Sequence, residues 1–487
     1  MTNYRWVICA MLFLATTVNY MDRQVLSLTY PGDGGIQQEF GWSDDNYGTI
    51  TAVFSIVYAL SMLFAGKFVD WMGTRKGYLW AIFVWSTSAV LHAFCGIATS
   101  GIVTGDWLVG FEGAKESLRA FQASGVADAG LMIATASVWL FLGARCVLAL
   151  GEAGNFPAAI KVTAEYFPKK DRAYATAIFN SGASVGALVA PFTIPVLAKL
   201  FGWEVAFIVI GALGYVWMAF WIFLYKKPGQ NPKVNGAELT YINQDAVCAS
   251  VLPTETDTEG PKISFAKCFT YRQTWAFIVG KFMTDGVWWF FLFWTPAYLK
   301  SQFNINPTDP QGMVLIFVLY LITMLSILGG KLPTYFINRG MNPYAGRMRA
   351  MLIFAFFPLL GLFAQPLGGM FATPWFPIIL IGILGAAHQS WSANIFSTVG
   401  DMFPQSTIAT VTGIGGMAGG VSSFLINKGA GALFTYAEQQ GSAFTFMGFE
   451  GKPAGYMIIF CICAVAYLIG WGFMKALVPR YKPIVAE

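Results

Sequence analysis

Long apolar runs separated by short polar breaks fill almost the whole of this 487-residue chain. A bilayer core of about 30 Å takes about 20 residues of helix, and twelve runs approach or exceed that length. They lie near residues 6–30, 47–66, 77–98, 132–160, 173–197, 204–225, 272–298, 312–337, 350–366, 374–398, 407–427 and 454–474. Two longer polar stretches interrupt them. The first, Thr99 to Asp128, predicts one short surface helix within GDWLVGFEGAKESLRAFQASG. The second, Lys226 to Arg272, divides the runs six and six. Its KKPGQNPKVNGAELTYINQD portion predicts a linker with a short amphipathic helix, and VLPTETDTEGPK reads as flexible. The expected architecture is an all-α integral membrane protein of twelve transmembrane helices. These form two pseudo-symmetric six-helix bundles, 1–225 and 272–487, joined by a linker at 226–271.

Composition agrees. A chain that is 56% hydrophobic and 11% charged lies outside soluble usage. With the N-terminus inside, about 21 of the 30 Lys and Arg fall on the cytoplasmic side and about six opposite, as the positive-inside rule requires. Both termini are therefore expected in the cytoplasm. The first run lacks a small-residue cleavage pattern and is expected to be retained. Seven cysteines without framework spacing predict buried thiols, and no metal site is expected. A net charge of +5 is too modest to suggest nucleic acid.

Against this apolar background the charges inside the runs stand out. Asp22 and Arg23 lie in the first, Arg145 and Glu152 in the fourth, Lys281 and Asp285 in the seventh, and His388 in the tenth. Each charge costs a few kcal/mol in a bilayer unless it is paired or faces a wet cavity. By helical rise, Asp22 and Arg23 sit about 25 Å from the inner end of their helix, and Arg145 about 18–20 Å from the outer end of its own. The two can meet. Glu152 lies two turns deeper than Arg145 on the same face. Lys281 and Asp285 are neighbours at i,i+4.

Buried ion pairs, Asp22 with Arg145 and Lys281 with Asp285, could simply hold helices together. Arg23 then reads as a surplus cation suited to an anion. Glu152, with no basic neighbour in sequence, suits reversible protonation. Asp22, Arg145 and His388 are assigned to the same proton-coupling group. Tyr20, Tyr58, Asn180, Lys281, Gln389, Trp391 and Asn394 would add donors and aromatic walls for a polyhydroxylated ligand. Packing is the competing reading for Trp391, and a satisfied core histidine for His92 and His388.

An internal repeat supports two duplicated halves. GEAGNFPAAIKVTAEYFPKKDRAYAT aligns with AHQSWSANIFSTVGDMFPQSTIATVT at a constant offset of 236, matching Phe167-Pro168 to Phe403-Pro404. The glycine runs GASVGA and GIGGMAGG predict close helix packing.

GKFVDWMGTRKGY, after the second run, resembles the signature of the major facilitator superfamily, with Gly66, Asp70 and the Arg75-Lys76 pair in place. Within it the chain looks like the anion:cation symporter family and most like its bacterial hexuronate transporters. NYMDR, ARCVLALGEAGNFPAAIKVTAEYFPKKDRA, FNSGASVGALVAP and GAAHQSWSANIF carry that resemblance. It implies proton-coupled symport of a sugar acid, a galacturonate or glucuronate, through the cell's inner membrane by alternating access. No cofactor beyond the coupling proton is implied, and a monomer is expected. Asp70 and Arg75 would act in gating. Ala183 stands where organic-anion relatives carry glutamine, which weakens transfer from aldonate carriers. Aldonate or glucarate transport, sugar-phosphate antiport and sodium coupling stay open.

A membrane enzyme is not expected. The two histidines are 296 positions apart and no HExxH occurs. The single GxSxG match, around Ser184, lies inside an apolar run and not at a strand-to-helix turn.

Overall fold

A computed structural model describes residues 2–32, 34–244, 264–329, 332–403 and 405–484. Each of the twelve predicted runs falls on a helix or a broken helix. The principal ones are α1 (Tyr4–Thr29), α2 (Asp44–Met72), α3 (Thr74–Ala93), α4 (Cys95–Thr104), α5 (Phe111–Ala123), α6 (Ala129–Glu152), α7 (Asn155–Tyr166), α8 (Lys169–Phe201) and α9 (Trp203–Leu224). After α10 (Gly236–Ile242) come α11 (Arg272–Phe303), α12 (Pro310–Thr323), α13 (Leu332–Asn338), α14 (Pro343–Phe356), α15 (Trp375–Met402), α16 (Gln405–Gln440) and α17 (Lys452–Leu477).

Among the described residues eight helices are long and apolar enough to cross a membrane, and α3 with α4, bent by 51°, makes a ninth. The predicted surface helix of the first insert is α5, and the amphipathic linker helix is α10. The segment VLPTETDTEGPK lies outside the described residues.

Several runs read as single spans are broken, and the breaks have local causes. Pro358 opens a 3₁₀ stretch, Phe357–Phe363, that separates α14 from a further helix, Ala364–Met370. Proline lacks an N–H and crowds the preceding turn. The fourth run turns at Ala153-Gly154, between α6 and α7. The repeat appears in backbone angles. Phe167 ends α7 at φ −124°, ψ 135°, and Phe403 ends α15 at φ −115°, ψ 148°, each extended before its proline.

The chain divides into two compact units, residues 1–26 with 60–258, and 27–59 with 259–487. The first 16 residues of α2 therefore cluster with the C-terminal helices.

In the first unit, α8 lies directly on α1. A Cβ on Gly182 would stand 2.4 Å from the Phe13 carbonyl oxygen, and one on Gly186 2.5 Å from that of Thr17. GASVGA is thus a packing seam, as its composition predicts. The linker helix completes this unit. Glu238, wholly buried, accepts hydrogen bonds from the backbone N–H groups of Tyr4 (3.0 Å) and Arg5 (3.1 Å), the Arg5 Nη1 (3.1 Å) and the Thr2 hydroxyl (2.5 Å). A carboxylate 233 residues beyond Arg5 thus satisfies open N–H groups at the start of α1.

Burial alone would raise the Glu238 pKa, but the bonds from Thr2, Arg5 and Tyr4 outweigh it and hold the carboxyl below the usual range. A lowered folded value gives stability that is present above the unfolded pKa and lost as pH falls through the folded one. Corrected for the intrinsic pH dependence of amide exchange, protection at Tyr4 and Arg5 is therefore expected to be high at pH 7 and to fall in the acid range, below the ordinary glutamate value of about 4.3. Glu238→Gln should lower that protection at pH 7, by the equivalent of about 1.5–3 kcal/mol for lost charged hydrogen bonds. Unchanged protection in that variant would mean that Glu238 contributes nothing to holding α1.

In the second unit, glycines of GIGGMAGG bring α16 onto its neighbours. A Cβ on Gly419 would meet the Asp285 carboxylate at 2.3 Å, and one on Gly420 the Ala59 methyl at 2.1 Å. Farther along, Gly48 and Gly431 face each other. A Cβ on Gly48 would stand 2.6 Å from the Asn427 carbonyl oxygen and 2.9 Å from the Gly431 Cα. Lys428 pairs with Asp45 at 2.6 Å and Lys452 with Asp44 at 2.5 Å beside this contact.

Candidate functional site

The charged residues of the first unit converge in its core. Asp22, Arg23, Arg145 and Glu152 are each no more than 3% exposed. α1 carries the first two and α6 the others. The end of α6 is held against α3 because Gly151 and Gly154 leave no side chain between them. A Cβ on Gly151 would lie 2.5 Å from the Trp85 nitrogen. This places Glu152 opposite α1, where Arg23 Nε donates to its Oε2 at 2.6 Å. The Arg23 guanidinium also lies over the Tyr20 ring at 4.9 Å.

The pairing corrects the expectation of a surplus cation at Arg23. Glu152 has no basic neighbour in sequence, yet its partner stands on another helix. Two carboxyls and two guanidiniums occupy this core, so fully ionised they balance. Glu152 Oε1 and both Asp22 oxygens are buried without a hydrogen-bond partner among the described residues. Arg145 is within electrostatic reach of both acids. Asn180 is exposed on α8.

A second polar cluster lies in the second unit. Lys281 and Asp285 pair at 2.6 Å, as their spacing predicts, and the ammonium also sits 4.4 Å from the Phe396 ring centre. His388 stacks face to face on Trp288, with centroids 5.3 Å apart and planes 1° apart. Its Nδ1 shares a 2.7 Å hydrogen bond with the Tyr467 hydroxyl. Tyr467 is the residue sequence reasoning missed: a tyrosine in an apolar helix that also carries Tyr456 gives no signal of its partner.

Of the other expected ligand contacts, Tyr58 stacks on Phe54 and tilts against Trp289 at 6.3 Å. Asn394 donates to the Ser390 carbonyl at 2.8 Å, and Gln389 is half-buried. Trp391 is wholly buried, edge-on to Tyr467 at 5.5 Å, the packing alternative to a ligand wall. His92, stacked on Phe207 at 5.0 Å and bonded to the Ser88 carbonyl at 2.7 Å, is a core residue of the first unit. Arg75 donates to the Ile222 carbonyl at 2.7 Å. The side chain of Asp70 lies outside the described residues. No group of three or more His, Cys, Asp or Glu that could hold a metal is found among the described residues.

The arrangement offers ionisable groups buried in two apolar cores. That is chemistry for binding charge inside a membrane. The hexuronate transporter of Escherichia coli (strain K12) is 27% identical over 430 residues, 88% of this chain and 87% of that protein. A probable galactarate/D-glucarate transporter from the same strain is 24% identical over 463 residues, 94% of each. Among solved structures, a bacterial homologue of the human lysosomal transporter Spinster, inward-facing and unoccupied, superposes with a TM-score of 0.68. It is 17% identical and covers 99% of both chains. The model of the Major Facilitator Superfamily matches residues 12–111 and 120–426. With these transporter relatives and a multi-pass helical fold, the chain belongs to the Major Facilitator Superfamily.

Proposed function

We propose that this protein carries a sugar acid into the cell by proton symport, with Arg23 and Glu152 as the coupling pair. The observation that carries the reading is their buried 2.6 Å contact, with the other Glu152 oxygen buried and accepting no hydrogen bond among the described residues. While Glu152 is ionised, Arg23 is neutralised. When Glu152 takes a proton, Arg23 gains a net positive charge in a low-dielectric core, where an organic carboxylate is the natural replacement partner. The substrate and the proton thus favour each other's binding. The cost of leaving either charge alone disfavours carrying one without the other. Asp22 and Arg145 form the adjoining coupling group. In this reading His388 is a second candidate for the proton. Lys281, Tyr58, Asn180, Gln389 and Asn394 contribute to the remaining substrate contacts.

The named relatives support a hexuronate or an aldarate as the substrate class. The charge bias of the loops supports cytoplasmic termini, and the bacterial relatives support the inner membrane. Asp70 and Arg75 are assigned to the cytoplasmic gate.

Arg23→Lys tests the anion site. Lysine keeps the charge but loses the guanidinium's two-pronged geometry. At matched membrane expression, uptake should fall by roughly tenfold to a hundredfold, as expected for about 1.4–2.8 kcal/mol of lost binding. Equal uptake by variant and wild type would remove Arg23 from the site. A panel of galacturonate, glucuronate, galactonate and glucarate, used as competitors, then assigns the substrate.

A further inference from the structure

We propose that the first unit carries a binding site for an anionic phospholipid between α3 and α9. Its acyl chain would lie in an open apolar groove, and its phosphate on a cationic rim.

The groove has a volume of about 200 Å³ and is lined by Leu79, Trp80, Phe83 and Met218. Its shape follows from the residues between the two helices. Near their middle, Gly211 and Gly214 let the backbones touch. A Cβ on Gly214 would lie 1.8 Å from the Ser86 hydroxyl oxygen, and one on Gly211 2.9 Å from the Ala89 methyl. Toward the other end the bulky Tyr78, Trp217 and Trp221 stand between them, with Tyr78 5.0 and 5.2 Å from the two indole rings. Small residues bring helices together and large ones part them. Trp80 and Phe83, edge to face at 5.6 Å, are 50% and 41% exposed, so the groove opens on the outer surface of a membrane helix pair.

Cations gather at one end of this groove. The start of α3 and the end of α9 are tied side by side. Thr74 donates to Glu165 Oε1 at 2.5 Å, the Tyr225 hydroxyl donates to the other Glu165 oxygen, and Arg75 reaches the Ile222 carbonyl. That brings Arg75 and Lys76 to the same end as Lys226 and Lys227, and all four are exposed. Glu165, a carboxylate beside this rim, already accepts two hydroxyls. Four exposed cations thus lie at the end of an open apolar groove. A phosphate with a fatty chain matches both features, and a guanidinium favours phosphate in particular. The loop-charge bias puts this rim at the inner leaflet.

Native mass spectrometry and thermal unfolding of the full chain in detergent test the site. The probes are dioleoyl phosphatidylglycerol, dioleoyl phosphatidylcholine and the soluble headgroup glycerophosphoglycerol. Phosphatidylglycerol should be retained and should raise the melting temperature, the zwitterionic lipid much less, and the soluble headgroup not at all. Lys226→Gln with Lys227→Gln should cut the preference for phosphatidylglycerol by roughly tenfold or more, since each surface cation contributes to anionic-lipid binding. Met218→Trp, which fills the groove, should reduce retention while the rim stays intact. Equal retention of the two lipids by the wild type would overturn the cationic rim. An equal shift with the soluble headgroup, or full retention by Met218→Trp, would overturn the acyl groove.

Discussion

Glu152→Gln is expected to lose proton-driven accumulation of substrate while still exchanging it across the membrane. Glutamine keeps the shape and an oxygen that can accept from Arg23, but it never carries the negative charge. The variant is therefore held in the equivalent of the protonated state, with Arg23 always available to a carboxylate. In wild type a one-proton symport under a pH difference of one unit sustains about tenfold accumulation, since one unit is about 1.4 kcal/mol. In the variant the ratio should fall to unity. Substrate affinity, which in wild type should strengthen as pH falls, should become nearly independent of pH. Proteoliposomes separate the two effects: counterflow reads exchange, and an imposed pH gradient reads coupling. Retained uphill uptake would sink the assignment and direct attention to Asp22, whose two oxygens also accept no hydrogen bond among the described residues, or to His388.

Gly48→Val is expected to cut transport by about tenfold or more at matched expression, through packing and not through the substrate site. The atoms opposing Gly48 are backbone, the Asn427 carbonyl and the Gly431 Cα, so no side chain can swing aside. The helices must separate, at a cost of about 1–3 kcal/mol for overpacking. About 1.4 kcal/mol already changes a two-state ratio tenfold, so the closed arrangement of α2 on α16 would be depopulated. The ion pairs beside the seam do less. Lys428 and Asp45 are 41% and 35% exposed, and such pairs are commonly worth about 0–1 kcal/mol. Lys428→Gln should therefore have a much smaller effect than Gly48→Val. A cysteine at Ser55, which packs against Ser423 through a 2.8 Å hydroxyl contact, reports the separation. Its labelling by a membrane-impermeant thiol reagent should rise in Gly48→Val. Unchanged labelling and turnover would show that the seam is not part of the cycle.

The sequence alone determined the membrane class, the twelve runs, the two inserts with their helices, and the position of each buried charge along its helix. Those properties depend on local hydrophobicity and on a fixed rise per residue, which need no knowledge of neighbours. The same local geometry paired Lys281 with Asp285, because i and i+4 meet on any helix. The duplicated Phe-Pro turns were legible because their backbone conformation is dictated at the residue before proline. Tertiary structure decided the partners. Arg23 meets Glu152 across 129 positions, His388 meets Tyr467 across 79, and Glu238 caps α1 from 233 residues beyond Arg5. Periodicity gives a residue's depth and face, but not the rotation of one helix against another or the neighbour it meets. Those are set by where glycines let backbones touch, at Gly151, Gly182 and Gly419, and where aromatics hold them apart. That packing turned the surplus cation expected at Arg23 into one half of a buried pair.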